Sequence, residues 1–173
     1  MTTSADTAVT TQVYRIYIKA SPQAVWDAIT KPEWTSRYGP GGRVEYDLRP
    51  GGAYRVSASD AMKAHGAEIG YQVPDVVFDG EVIEADPPRR LVHTIRARWD
   101  PVTEAEGYTR LTWEIDEVQP GVSKVTMIHE LEGAPRLAAV TAGELESEGQ
   151  GGGWSEILSD LKSLLETGQP LRG

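Results

Sequence analysis

Residues 153–166 read GWSEILSDLKSLLE, and within them Trp154, Ile157, Leu158, Leu161, Leu164 and Leu165 recur at the three- and four-residue spacing of a helix with one apolar face. Such a stripe must be buried against another apolar surface, and each side chain contributes roughly 1.5 to 3 kcal/mol on burial before entropy is subtracted. The preceding chain supplies that surface, because its period is two rather than 3.6. From Val122 to Leu131, Val125, Met127, His129 and Leu131 share one face; from Tyr108 to Val118, Leu111, Trp113 and Ile115 do. Gln119-Pro120-Gly121 turns one strand into the other.

Further upstream, Leu91, His93, Ile95, Ala97 and Trp99 alternate with Arg96 and Arg98 facing away, and Pro87-Pro88 joins this strand to one running from Val76 to Ala85. Val44, Tyr46 and Leu48 alternate with charged residues, then Pro50-Gly51-Gly52 turns the chain into Tyr54, Val56 and Ala58, which is a hairpin pattern. QVYRIYIK at 12–19 reads as the first strand. Ser21 is a helix N-cap with Pro22 at the first helical position, where its missing N–H costs nothing. Val25, Trp26 and Ile29 give that helix an apolar face; Lys31-Pro32 ends it, and a short second turn follows over 33–38. The stretch 59–74, with weak periodicity and two glycines, reads as an ordered loop or rim insertion, and 132–152 as a loop of ambiguous character.

Strand, two short helices, a meander of strands and a long terminal helix make one α+β unit. The expected organisation is a disordered tail over 1–11, a single domain over 12–168 and a C-terminal tail over 169–173. A chain of 173 residues can bury a core of its own. With no cysteine, disulfides, thiolate metal sites and cysteine nucleophiles are excluded together. MTTSADTAVTTQ has neither the basic nor the apolar segment of a signal peptide, and no run approaches the ~20 residues of a membrane span, so a cytoplasmic location is expected. A formal charge of −9 with scattered basic residues argues against nucleic acid and anionic membranes as partners.

Several short pieces occur in an order that carries more than their composition. They are Ser21-Pro22 with Val25-Trp26, Pro32-Glu33-Trp34, Asp47-Leu48-Arg49-Pro50-Gly51-Gly52, Gly80-Glu81-Val82, Pro87-Pro88-Arg89-Arg90-Leu91-Val92, Thr126-Met127-Ile128-His129 and Gly153-Trp154. In that order and spacing, over roughly Val13 to Glu166, the chain resembles the activator-of-heat-shock-protein-90-ATPase homologue branch of the SRPBCC (START-like, Bet v 1) superfamily. The resemblance implies a helix-grip fold: a curved antiparallel β-sheet wrapped around the long C-terminal α-helix, leaving a cavity open towards the loops. Members of the superfamily bind hydrophobic or amphipathic small molecules, and some cyclise or dehydrate polyketide chains.

On that fold the alternation aims His93, Ile95, Trp99, Trp113, Met127 and His129 at the concave face, with Tyr54 and Val56 from the hairpin. Trp34, Tyr38, Trp154 and Leu158 would close the space from the helical side. The aromatics line a cavity or merely pack as a filled core; composition does not decide between them. His93 and His129 are the polar residues of most interest, since imidazole moves protons near neutral pH, and they would face one another across the sheet. The blander role is a half-buried histidine bonded to a neighbour.

Other chemistries find little support. A metal site from His65, His93 and His129 would need the 59–74 segment to fold over the mouth, and no close-spaced ligand pair backs it. Glu144, Glu146 and Glu148 read as a solvated acidic loop. Gly149 to Gly153 lacks the Lys-Ser/Thr of a phosphate cradle and reads as a flexible approach that lets Trp154 reach the core. Ser155 lacks a nucleophile elbow. No metal or other cofactor is expected.

Three functions follow. The first is a module that binds a hydrophobic or amphipathic small molecule. The second is a co-chaperone-like interaction factor, with a chaperone as partner, favoured by exposed apolar residues on an edge strand or over 134–140. The third is a polyketide cyclase or aromatase-like enzyme using Tyr54, His93 and His129 as proton donors and acceptors. A homodimer is the default assembly, closed two-fold dimers being the commonest oligomers.

Overall fold

The computed structural model describes residues 10–171. Seven strands form one antiparallel sheet in the order β1-β7-β6-β5-β4-β3-β2: β1 (Thr11–Ile18), β2 (Arg43–Tyr46), β3 (Ala53–Ser57), β4 (Val76–Asp86), β5 (Arg90–Ala97), β6 (Thr109–Gln119) and β7 (Val122–Glu130). The helices are α1 (Pro22–Thr30), α2 (Pro32–Thr35), α3 (Asp60–Glu68), α4 (Pro101–Ala105), α5 (Pro135–Thr141) and α6 (Gly153–Thr167), with a 3-10 turn at Glu146–Glu148. The sheet is curved and not closed, and α6 lies in its concavity: the helix-grip arrangement.

The main core forms where the two periodicities meet. Leu158 and Leu161 of α6, with Val25 and Ile29 of α1, pack on Leu111, Trp113, Ile115, Val125 and Met127 of the sheet. Trp154, Ile157 and Leu165 are only partly buried, so the stripe turns one edge away from the densest packing. A smaller cluster of Ala97, Leu131, Ala134 and Leu137, with Phe78 and Trp99 against it, lies at the other end. Space is left between the two clusters. The end of α6 is tied to β1 by Lys162, which donates to the Tyr17 carbonyl and to Glu166, while Glu166 accepts from the Lys19 N–H.

Two expectations are corrected. Residues 60–68 of the supposed loop are a helix, α3, because the Ser59 side chain accepts from the Met62 N–H and Asp60 places a negative charge at the N-terminus. Gly66, which reads as a breaker, is buried inside that helix. A Cβ there would meet Val73 at 2.4 Å and the Tyr71 carbonyl at 2.9 Å, so its small size serves a close approach. Within 132–152, residues 135–141 are also helical: Pro135 occupies the first turn, and the Glu106 carboxylate accepts from the Arg136 and Leu137 N–H groups at 2.7 and 3.0 Å. That cap is thirty residues away in sequence.

The tail expected over 1–11 lies outside the described residues up to residue 9. The Thr10 carbonyl accepts from the Leu131 N–H, and Thr11 pairs with Glu130. Residues 169–171 turn back on α6, where the Leu171 N–H donates to Asp160; residues 172 and 173 lie outside the described part. No helix among the described residues is long and apolar enough to cross a membrane.

Candidate functional site: a cavity between sheet and helices

Between the concave face of the sheet, α3, α5 and the start of α6 lies a cavity of about 500 Å³. Ile95, Leu111, Trp113 and His129 form its floor from three adjacent strands, and Tyr46, Tyr54 and Val56 its wall from the β2–β3 hairpin. Met62, His65 and Ile69 of α3 and its C-terminal flank roof one side; Gly149 to Gly153 and Trp154 border the other. Among the described residues no lysine or arginine lines it, and Glu156, His65 and His129 are its ionisable residues besides tyrosine. The size suits a small organic ligand, and apolar walls with few polar groups are typical of such sites.

The two histidines do not face one another. They sit side by side on one sheet face with Leu111 between them, since His93 pairs with Leu111 and Leu111 with His129. Each is fully buried and held as a neutral imidazole. His93 Nδ1 lies 2.8 Å from the Thr94 carbonyl, which only accepts, so Nδ1 carries the proton. Nε2 is then an acceptor, and the Tyr46 hydroxyl donates to it over 3.1 Å. Burial lowers the His93 pKa to about 4.

His129 is the opposite tautomer. The Trp154 indole N–H can only donate, and it reaches Nδ1 at 3.1 Å. The proton is therefore on Nε2, which donates to Thr109 Oγ1 at 2.8 Å, and Thr109 in turn donates to the Ile95 carbonyl. Burial, and secondarily the neighbouring His93, push the His129 pKa down to about 3. Both rings thus have both nitrogens occupied by protein.

Besides His65, Gln150 and Glu156, the polar side chains that border the cavity include three phenols. Tyr46 has spent its hydrogen on His93, so its oxygen offers only lone pairs to the cavity. Tyr38 donates to the Ala28 carbonyl at 2.9 Å. Tyr54 has no hydrogen-bond partner among the described residues, although it is only 6% exposed. Trp99 Nε1 is the one fully enclosed side-chain nitrogen or oxygen without a partner among them, so the Tyr54 hydroxyl borders open space. Burial holds all three phenols above their ordinary pKa, with neighbouring tyrosines adding to the effect at Tyr46 and Tyr54.

Of the residues expected at the site, Tyr38, Tyr54, Val56, Ile95, Trp99, Trp113, His129 and Trp154 border the cavity. Trp34, His93, Met127 and Leu158 do not. Trp34 stacks under the Arg37 guanidinium at 5.0 Å, Met127 and Leu158 are packed into the main core, and His93 lies behind Tyr46 and Tyr54. Trp99 follows the end of β5 rather than belonging to it, yet packs edge-on against Phe78 at 5.1 Å. Tyr46 was missed although its alternation with Val44 and its place opposite Tyr54 in the hairpin were visible in the sequence. Met62 and Ile69 were missed with α3, and His65 was considered only as a metal ligand should that segment fold over the mouth.

The glycine-rich stretch ends in a tight contact at Gly153. Gly153 has φ of +73°, and a Cβ on it would lie 2.2 Å from the Thr141 carbonyl. This crossing brings the first turn of α6 against the end of α5 and sets Trp154 over His129. Among the described residues, no group of three or more metal-ligating side chains comes together.

Comparison with known proteins agrees with the architecture. The family described as Activator of Hsp90 ATPase homolog 1-like protein matches residues 19–166. No curated protein matches the sequence. Among solved structures, the chain is similar to a Bordetella parapertussis protein (19% identity, 97% of this chain and 81% of that one, TM-score 0.64). It is also similar to the Aha1 dimer of Colwellia psychrerythraea (16% identity, 91% and 97%, TM-score 0.59). A third likeness is to an HSP90 activator of Plasmodium falciparum (19% identity, 70% and 73%, TM-score 0.52). At these identities the likeness is one of fold.

Proposed function

The chain belongs to the Activator of Hsp90 ATPase homolog 1-like family, and from that premise we propose that it binds one amphipathic small molecule in the cavity described above. The observation that carries this reading is a space of about 500 Å³ with apolar walls, beside which a buried tyrosine hydroxyl has no hydrogen-bond partner among the described residues. In a filled core that hydroxyl would be sealed without a partner, at a cost of ~1 to 3 kcal/mol.

A carrier or sensor role is favoured over acid–base catalysis. His93 and His129, the natural proton carriers, have their nitrogens engaged and pKa values of about 4 and 3, while the Tyr54 phenol is shifted the other way. None is poised to exchange a proton near pH 7. Native mass spectrometry after incubation with an extract of apolar cell metabolites tests the proposal. One small-molecule adduct per chain supports it; a clean subunit mass after exposure counts against it.

A protein-interaction role has one specific observation in its favour. Val13 and Tyr17, 45% and 55% exposed, lie on one face of the edge strand β1. The other expected patch, 134–140, is not available, since Leu137 and Val140 are buried. Size-exclusion chromatography with light scattering on the chain and on Tyr17→Asp checks whether two copies meet through β1: a dimer that the substitution dissociates supports this reading, and a monomer throughout refutes it.

A further inference from the structure

We propose that the cavity selects an electrically neutral, largely apolar molecule bearing a hydroxyl group, phenol, enol or alcohol, which donates to Tyr46 Oη and accepts from Tyr54 Oη. This deepens the binding reading above and rests on it.

A phenol has one hydroxyl hydrogen, and that of Tyr46 is committed to His93 Nε2, because His93 Nδ1 must donate to the Thr94 carbonyl and leaves Nε2 nothing to give. Tyr46 is therefore an acceptor as seen from the cavity. Tyr54 stands beside it, ring centroids 4.9 Å apart and planes tilted by 33°, with a hydroxyl that no described residue engages. The tyrosine pair thus offers one acceptor and one free donor. A hydroxyl group satisfies both at once, whereas an ether or ketone oxygen accepts from Tyr54 but leaves Tyr46 facing a second acceptor. Leaving a buried acceptor unmatched is what makes such sites discriminate.

Charge narrows the class further. Among the described residues no lysine or arginine lines the cavity, and Glu156 is at its border. An anion would be desolvated without a countercharge, beside a carboxylate and in a chain of formal charge −9. The His129 imidazole is neutral with both nitrogens committed and supplies no positive charge, while His65 is solvent-exposed on α3. For a cation, the aromatic rings and Glu156 are the competing attraction, and the experiment includes that case.

Calorimetric titration with a matched naphthalene series tests the inference: naphthol, methoxynaphthalene, methylnaphthalene, naphthoate and naphthylmethylammonium. Naphthol is expected to bind at least ~5-fold tighter than its methoxy and methyl analogues and tighter than both ions, the size of one well-placed hydrogen bond. Tyr54→Phe, its fold checked by circular dichroism, should reduce the preference for naphthol over methylnaphthalene to about twofold or less, the remainder resting on Tyr46. Equal binding of naphthol and its uncharged analogues, or tighter binding of either ion, overturns the inference while leaving the cavity's binding role intact. Absence of binding by every uncharged member overturns the binding reading itself.

Discussion

The indole N–H of Trp154, in the first turn of α6, donates to Nδ1 of His129 on β7 over 3.1 Å. Because indole nitrogen cannot accept, this bond determines which imidazole nitrogen carries the proton and so directs the opposite edge of the ring to Thr109. The terminal helix is thus locked to the sheet by polar as well as apolar contacts, at the border of the cavity. Trp154→Phe keeps a ring in place but leaves Nδ1 of His129 without its donor. The expected loss is about 1 to 3 kcal/mol, the cost of an unsatisfied buried group, read from urea denaturation.

Tyr46→Phe poses the same question for the other histidine. It removes the one donor to His93 Nε2 among the described residues, and the expected destabilisation is again about 1 to 3 kcal/mol. Tyr54→Phe removes a hydroxyl with no hydrogen-bond partner among the described residues and should leave stability within about 0.5 kcal/mol of the parent. Equal losses for the two substitutions would contradict the assigned hydrogen bonds.

Acid should destabilise the protein through its histidines before its carboxylates. In the folded chain His93 and His129 resist protonation down to about 4 and 3, against an ordinary value of 6.5 in the unfolded chain. Between pH 6.5 and about 4.5 the unfolded chain binds more protons, so stability falls with pH by about 1.4 kcal/mol per unit for each histidine once well below 6.5. Above pH 6.5 the effect vanishes. Denaturation midpoints across this window, compared with those of His93→Gln, should show about half the slope in the variant.

Gly153→Ala tests the crossing of α5 and α6. The backbone is in the left-handed region and the new methyl would collide with the Thr141 carbonyl, so a loss well above the ~1 kcal/mol of an ordinary glycine replacement is expected. A thermal unfolding curve unchanged from the parent would mean that the glycine-rich stretch is slack after all.

The parts of the fold that were legible in the sequence are those whose burial repeats along the chain. Strict alternation from Leu91 to Leu131 assigned Ile95, Trp113 and His129 to the inner face, and helical spacing assigned Leu158 and Leu161 to the core. Alternation reports a face, however, not a depth. His93 and Met127 share the cavity's face and are nonetheless sealed from it, His93 by two tyrosine rings that arrive from a hairpin some forty residues earlier. The roof was hidden for a different reason. Helix α3 owes its place to contacts at Gly66 that resemble a breaker, and α5 is capped by Glu106 from another loop; neither signal is local. Tyr46 and Leu111 are omissions that local pattern alone would have supplied.

The most direct measurement is a calorimetric titration of naphthol into the parent chain and into Val56→Trp, whose indole would fill the space beside Tyr54. The parent is expected to bind one naphthol per chain, and the variant, with native circular dichroism and an unfolding temperature close to the parent's, to bind at least about tenfold more weakly. No binding by the parent, or undiminished binding by a folded Val56→Trp, would contradict the account of this cavity as the functional site.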